Sequence, residues 1–221
     1  MRFLAVLSVL LLAASIVSAE TLSTANLIPS GRYAVQGIYF QNTNSFNLGN
    51  DAKLNAYGIK GAYGINDQME IDLQVGTGGT TGFTSITGTE YTPTSYGLTL
   101  KYAVAKESQD MPVSVILGAG IGAQSLKANR GGATLNGGLY GLGCVVSKVY
   151  APFIPYASVQ WQNAGGDTGL IYTKLDLNIG TAIAWSKQGY VFVEYTSQGI
   201  APSAGGNYNS GQIAAAVAYI L

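Results

Sequence analysis

Two carboxylates stand two residues apart in the segment MEIDLQVG, at Glu70 and Asp72. On a strand they share one face about 7 Å apart, because side chains alternate and each residue rises about 3.4 Å. Such a pair could act as general acid and base. It far more often balances neighbouring cations, and Lys60, Lys101 and Arg32 are available for that role. We therefore interpret the pair as charge balance and predict that the protein is not an enzyme.

The remaining residues offer little catalytic or ligand-binding chemistry. The chain contains no His, which removes Ser-His and Cys-His nucleophile pairs and His metal sites. Cys144 is the single Cys, so no intrachain disulfide forms, and we interpret it as a small packing residue. The Gly-rich run 118–122 lacks the Lys and the following helix of a phosphate loop. No acidic cluster has calcium-loop spacing. We predict no cofactor, no metal and, since net charge is zero without a basic cluster, no nucleic-acid partner.

The segment that carries the two carboxylates has the pattern of a strand with two unlike faces. Met69, Ile71, Leu73 and Val75 are apolar and alternate with polar or small residues, which is the period of a β-strand. The same alternation returns along the chain. It predicts ten strands, over residues 32–41, 53–63, 69–76, 94–102, 113–124, 135–147, 152–161, 171–185, 190–197 and 210–221. The sixth is apolar or Gly on both faces, so its orientation stays open, and eight or twelve strands remain alternatives.

The first 19 residues have the pattern of an export signal. Arg2 is followed by the apolar run 3–17 and by Ser18-Ala19, which predicts a signal peptide at 1–19 and a separate domain at 20–221. Charged residues make up only 10% of the chain, against about 25% in soluble domains. An exported, charge-poor chain of alternating strands fits an all-β fold, a closed antiparallel up-and-down transmembrane β-barrel of about ten strands.

In such a barrel the apolar faces must contact lipid, because a charge there costs roughly 2–4 kcal/mol at the midplane. Tyr and Trp near strand ends on this face suit interfacial girdles. The opposite face would enclose a lumen charge network: Arg32, Lys60, Glu70, Asp72, Lys101, Lys174, Asp176 and Glu194. Four positive and four negative charges could pair across the lumen, and small barrels have interiors filled by side chains. We predict a narrow or closed interior, the alternative being that these charges line a solvated wall.

The connections after odd-numbered strands are the longer ones and are rich in Asn, Thr and Gly, with the charged connection 103–112 after the fourth strand as the exception. Outer-membrane barrels have long outside loops and short periplasmic turns, so both ends of the domain are expected in the periplasm. The longest connection, 77–93, carries Phe83, Ile86 and Tyr91, which would serve as a surface loop that meets a partner. The alternative is an ordinary flexible loop.

The last strand contains a recognisable pattern. Val217, Tyr219 and Leu221 alternate at the C-terminus, and the phrase YGINDQME at 63–70 joins a turn to a strand. With the signal peptide and the strands, the chain resembles the small bacterial outer-membrane β-barrel, porin-like family. Members of that family usually end in Phe or Trp, whereas this chain ends in Leu221. The resemblance implies localisation in the bacterial outer membrane, with the lipid bilayer and the barrel-assembly machinery as partners, the latter reading the C-terminal strand.

These inferences predict a small outer-membrane β-barrel protein that is structural or forms a narrow passive channel for small solutes. One alternative is a surface adhesin or interaction barrel that acts through its extracellular loops. Another is a secreted soluble β-barrel carrier.

Overall fold

A computed structural model describes residues 23–44, 52–82, 88–132, 134–167, 171–202 and 208–221. Ten strands are formed: β1 Tyr33–Asn44, β2 Ala52–Asn66, β3 Met69–Thr81, β4 Tyr91–Ala105, β5 Ser114–Ala128, β6 Thr134–Ser147, β7 Phe153–Gly166, β8 Tyr172–Ala184, β9 Gly189–Pro202 and β10 Tyr208–Ile220. Each pairs antiparallel with the next, and β10 pairs with β1, which closes the barrel. The predicted fold class is confirmed. The signal peptide expected at 1–19 lies outside the described residues. In the part of the chain that is described, no helix is long and apolar enough to cross a membrane.

The two faces of the strands carry opposite chemistry. Leu73 on β3 and Leu177 on β8 point outward with 63% and 54% of their surface exposed. Lys174 and Asp176 lie on the opposite face of β8 from Leu177. Their side chains point inward and are 0% and 1% exposed. An outer surface this apolar would be unfavourable in water and is the surface that lipid requires. The predicted orientation of apolar residues outward and charged residues inward is therefore confirmed.

The sequence left open which side chains of β6 point outward, and their exposure and register in the barrel decide this. Tyr140 and Leu142 are exposed on the outer surface, whereas Val145 and Ser147 are buried inside. Cys144 stands opposite Leu117 on one side and Val159 on the other. It therefore belongs to the outward face and is partly exposed there.

Strands run further than predicted at the end away from the chain termini. β3 continues to Thr81 and β4 begins at Tyr91, so their connection covers 82–90 instead of 77–93. β7 and β9 also extend, to Gly166 and Pro202. Outward residues there are polar or small, such as Thr77 and Ser197, and show no apolar alternation. Strands are held by backbone hydrogen bonds whatever their side chains, so they persist beyond the apolar band where the alternation stops.

The barrel has two unlike ends. We call the end with residues 23–33, Leu221 and the turns after even-numbered strands the terminal end, and the opposite end the loop end. Short polar side chains close two turns at the terminal end: Asn66 Oδ1 accepts the N–H of Gln68 at 2.8 Å, and Ser186 Oγ accepts that of Gly189 at 2.8 Å. These bonds are typical of Asn and Ser in tight turns.

Aromatic residues flank the outer apolar surface. Tyr33 and Tyr63 stack near the terminal end with ring centroids 4.7 Å apart. Tyr140 and Trp161 meet nearer the loop end at 5.8 Å. On β1, Tyr33 and Tyr39 are separated by six residues, which is about 20 Å along a strand. Rings placed at two levels in this way have the arrangement of interfacial girdles.

Candidate functional site

The lumen holds the polar side chains that a function could use. Seven of the eight charged residues predicted to face inward are buried there: Lys60, Glu70, Asp72, Lys101, Lys174, Asp176 and Glu194. The eighth assignment, Arg32, is wrong. Arg32 precedes β1, is exposed at the terminal end, and donates through Nε to the main-chain carboxylate of Leu221 at 2.5 Å. The alternation of a strand does not constrain a residue that lies before the strand begins.

Four of these residues form what we call the terminal-end charge cluster: Lys60, Glu70, Asp72 and Lys101. Lys101 faces Glu70 directly in the register of β3 and β4, with Nζ 2.9 Å from Oε1. The same Nζ lies 2.6 Å from Asp72 Oδ2, and Lys60 Nζ approaches that oxygen at 4.0 Å. Both carboxylates are thus neutralised by lysines. This geometry fits charge balance within the cluster.

The sequence predicted pairing across the lumen, but the ion pairs of this cluster form along the barrel wall, between neighbouring strands. A lysine side chain reaches a partner directly opposite or two positions away on the same face of the sheet, because these lie within roughly 5–8 Å. The chain therefore neutralises its charges locally, cluster by cluster.

Residues 23–28 cross the lumen at the terminal end, and we call them the N-terminal strap. Lys101 Nζ donates to Ser23 Oγ at 2.9 Å, and the N–H of Ile28 donates to Glu70 Oε2 at 2.5 Å. Further along the wall, the N–H of Ala25 donates to Ser147 Oγ at 3.0 Å and Ser114 Oγ donates to Asn26 Oδ1 at 3.3 Å. The strap is therefore bound to β3, β4, β5 and β6.

The strap is a feature that the sequence did not predict. Its residues, STANLI, show no strand alternation that would assign a face. Ala25 contacts a residue 122 positions later, which no local pattern reveals. Gly31, in the left-handed region at φ 74°, lets the chain turn from the strap into β1, and its N–H donates to the carbonyl of Gly64 at 2.8 Å.

A second set, the loop-end charge cluster, consists of Lys174 and Asp176 on β8. Lys174 Nζ lies 2.6 Å from Asp176 Oδ2. Amide side chains surround the pair in register: Gln162 opposite Lys174, and Gln160 and Gln198 opposite Asp176. A buried ion pair is costly unless further polar groups satisfy it, and among the described residues Asp176 Oδ1 has no hydrogen-bond partner, so the pair depends mainly on its own attraction.

Gln198 continues this polar region around the wall. Its Oε1 accepts from Asn42 Nδ2 at 3.0 Å and from Ser210 Oγ at 2.7 Å. Asn178 Nδ2 donates to Ser158 Oγ at 2.6 Å, one inward position nearer the terminal end than the ion pair. The half of the lumen nearer the loop end thus contains a set of hydrogen-bonded amides and hydroxyls beside buried apolar side chains.

Glu194 lies apart from both clusters, beside the ring of Tyr156. Tyr156, Gly180 and Glu194 follow one another in register across β7, β8 and β9. A Cβ at Gly180 would lie 2.6 Å from the hydroxyl and Cζ of Tyr156. The glycine therefore makes room for Tyr156 to lie across β8 and bring its hydroxyl beside the Glu194 carboxylate.

Water does not reach these inward side chains. Lys101, Gln160, Lys174, Glu194 and Gln212 come from five strands, and each is at most 2% exposed. A water-filled channel would leave the side chains that line it accessible. The interior around these residues is instead packed, as in barrels of about eight strands whose lumen is filled by side chains.

The comparisons with known proteins concern the fold. No family model matches the chain, and no curated protein matches it. Among solved structures, the β domain of the Bordetella autotransporter BrkA is similar with a TM-score of 0.56 and 12% sequence identity, covering 86% of this chain and 99% of that one. The chain has the fold of a bacterial outer-membrane β-barrel.

Two other outer-membrane proteins show weaker likeness to this barrel. Neisserial surface protein A has a TM-score of 0.42 and 19% identity, over 86% of this chain and 97% of its own. OprG from Pseudomonas aeruginosa has a TM-score of 0.39 and 12% identity, over 90% and 99%. The likeness to the BrkA β domain, together with the closed ten-stranded barrel, confirms the predicted resemblance to outer-membrane barrels at the level of the fold.

The predicted assembly signal lies on the outer surface of the barrel. Val217 and Tyr219 are exposed on β10, and Leu221 follows that strand with its N–H donating to the carbonyl of Tyr33 at 2.7 Å. The last residue is thus tied to the first strand at the closure of the barrel. Recognition by the assembly machinery stays a prediction.

The connection predicted as a surface loop is shorter than expected, and one of its three named residues belongs to a strand instead. Phe83 and Ile86 lie outside the described residues. Tyr91 was assigned wrongly: it begins β4, is buried, and faces the lumen, where its N–H donates to Thr80 Oγ1 at 2.8 Å. β4 starts three residues earlier than predicted, and its odd-numbered positions point inward. Within the described residues, no group of three or more His, Cys, Asp and Glu side chains could hold a metal ion.

Proposed function

We propose that the protein is a structural barrel of the bacterial outer membrane whose interior is sealed, rather than an open passive channel. The observation that supports this most strongly is the burial of the paired lumen charges, above all Lys174 and Asp176 at 0% and 1% exposed. An ion pair this well enclosed leaves no path for hydrated solutes at its level.

We further propose that the terminal end faces the periplasm. The fold is that of outer-membrane barrels, whose short turns lie on the periplasmic side. The turns between β2 and β3 and between β8 and β9, of two and four residues, lie at the terminal end, whereas the connection between β4 and β5 at that end has eight. The signal peptide predicted at 1–19 agrees with export to that compartment.

The outward apolar surface is evidence against the alternative of a secreted soluble carrier. A soluble barrel exposes polar residues and buries apolar ones, and here Leu73 and Leu177 are on the outside. The alternative role in surface adhesion loses one of its three supporting residues, because Tyr91 faces the lumen.

Planar-bilayer conductance of the purified, refolded protein tests the sealed interior. We expect a baseline free of large steady steps, with a general porin in the same lipid as the positive control. Liposome swelling in small sugars should likewise match that of protein-free vesicles. Steady porin-like conductance steps, or swelling with sugars, would contradict the proposal.

A further inference from the structure

The N-terminal strap lies between two cavities of about 510 and 470 Å³ at the mouth of the terminal end. Both volumes fall within the range of roughly 300–1,000 Å³ that is typical of small-molecule pockets. The 510 Å³ cavity has charges of both signs at its rim, from Asp67, Lys106 and Glu107. The 470 Å³ cavity, which we call the vestibule pocket, differs in its chemistry, and a cavity of about 60 Å³ that shares its floor residues Phe192 and Ala218 leads toward the terminal-end charge cluster.

The floor of the vestibule pocket is apolar. Ile154 of β7, Phe192 of β9 and Ala218 of β10 line it from the barrel wall, and Leu27 and Ile28 line it from the strap. The three wall residues are themselves buried and belong to the inner apolar cluster. The pocket therefore ends in apolar surface that an alkyl chain would cover, at about 25 cal/mol per Å² of apolar area removed from water.

The rim of the same pocket is basic. Arg32 and Lys187 line it, and among the described lining residues neither Asp nor Glu occurs. Arg32 already donates Nε to the main-chain carboxylate of Leu221, which orients its guanidinium at the mouth and offsets part of its positive charge. Lys187 belongs to the turn between β8 and β9 on the other side. Carboxylates and phosphates are the groups that Arg and Lys bind with charge-assisted hydrogen bonds.

We propose that the vestibule pocket binds a single-chain anionic amphiphile, with its alkyl chain on the floor formed by Ile154, Phe192 and Ala218 and its headgroup between Arg32 and Lys187. The headgroup chemistry is a carboxylate or a phosphate, from a free fatty acid or from a single-chain phospholipid. This site is independent of the sealed interior, because it lies at the mouth and needs no path through the barrel.

Photoaffinity labelling of the full chain in phosphatidylcholine nanodiscs tests the site. Three probes carry the same diazirine-labelled dodecyl chain and end in a carboxylate, a phosphate or a trimethylammonium group. Adducts are mapped by mass spectrometry after peptic digestion. We expect the carboxylate or the phosphate probe, or both, to label the peptides with Ile154 and Phe192, and whichever labels them identifies the source of the ligand. The cationic probe should label only lipid-facing peptides such as the one with Leu177.

Matched variants separate pocket binding from partition into the bilayer. Arg32→Gln with Lys187→Gln should reduce labelling inside the pocket about fivefold, since exposed ion pairs contribute roughly 0.2–1 kcal/mol each. Lys53→Gln with Lys127→Gln, at the loop end, should leave it unchanged. Ala218→Phe fills the floor and should abolish it, while a heat-modifiability gel checks that each variant is folded. Labelling restricted to outward residues, or equal labelling by the cationic probe, would overturn the proposal.

Discussion

Replacing Lys101 by methionine removes the cation of the terminal-end charge cluster that contacts both carboxylates, and keeps an unbranched side chain that is one atom shorter. Its Nζ lies 2.9 Å from Glu70, 2.6 Å from Asp72 and 2.9 Å from Ser23 Oγ. Without it, two buried carboxylates keep only Lys60, at 4.0 Å, as a nearby cation. Removing one partner of a buried ion pair costs about 3–5 kcal/mol, because the remaining charge is left uncompensated. We expect Lys101→Met to lower the free energy of unfolding by that amount.

Urea unfolding in lipid vesicles, followed by tryptophan fluorescence, measures this change. Lys127→Met is the matched control, because Lys127 is exposed on β5 at the loop end and its replacement should change stability by less than about 0.5 kcal/mol. The double variant Lys101→Met, Glu70→Gln removes one charge of each sign, leaves Lys60 paired with Asp72, and should recover most of the loss. The prediction is refuted if Lys101→Met unfolds like Lys127→Met, or if the double variant is less stable than the single one.

Two further substitutions test the packing of the two faces. Gly180→Ala should destabilise the barrel by roughly 1–3 kcal/mol through overpacking, because the new Cβ meets the ring of Tyr156. Gly79→Ala is the control and should be tolerated, because its new Cβ would have nothing within 4 Å. Equal urea midpoints for the two variants would contradict this prediction. Leu177→Arg places a charge on the outer apolar surface and should lower the free energy of unfolding by roughly 2–4 kcal/mol. Leu177→Ala is the control for the lost side-chain area. A Leu177→Arg protein as stable as the alanine variant would count against lipid contact at this position.

The alternation of apolar and polar residues within single strands predicts the barrel and its two faces, because lipid disfavours charged side chains on the outer surface. A charge on the outer surface is costly, so residues 69–76 and 171–185 reveal by their alternation alone which side chains face inward. The same reasoning assigned seven of the lumen charges to the correct face. It could not specify their partners, since the meeting of Lys101 with both Glu70 and Asp72 depends on the register between β3 and β4.

The errors fall where the lipid no longer constrains the sequence. Arg32 lies just before a strand, and Tyr91 lies in a strand extension beyond the apolar band, where outward residues need not be apolar. The N-terminal strap was missed because its bonds to Glu70 and Ser147 depend on closure of the whole barrel. The role of Gly180 likewise appears only when β7 and β9 are placed on either side of it.

Reductive dimethylation of the reconstituted protein, read lysine by lysine by mass spectrometry, tests the sealed interior most directly. The reagents are small and water-soluble, so they modify any amine that water reaches. Lys174 and Lys101 should stay unmodified in the folded barrel and react only after unfolding, whereas Lys106 and Lys127, exposed at opposite ends, should react fully. Modification of Lys174 at the rate of Lys127 in the folded protein would show a water-filled lumen and contradict the account.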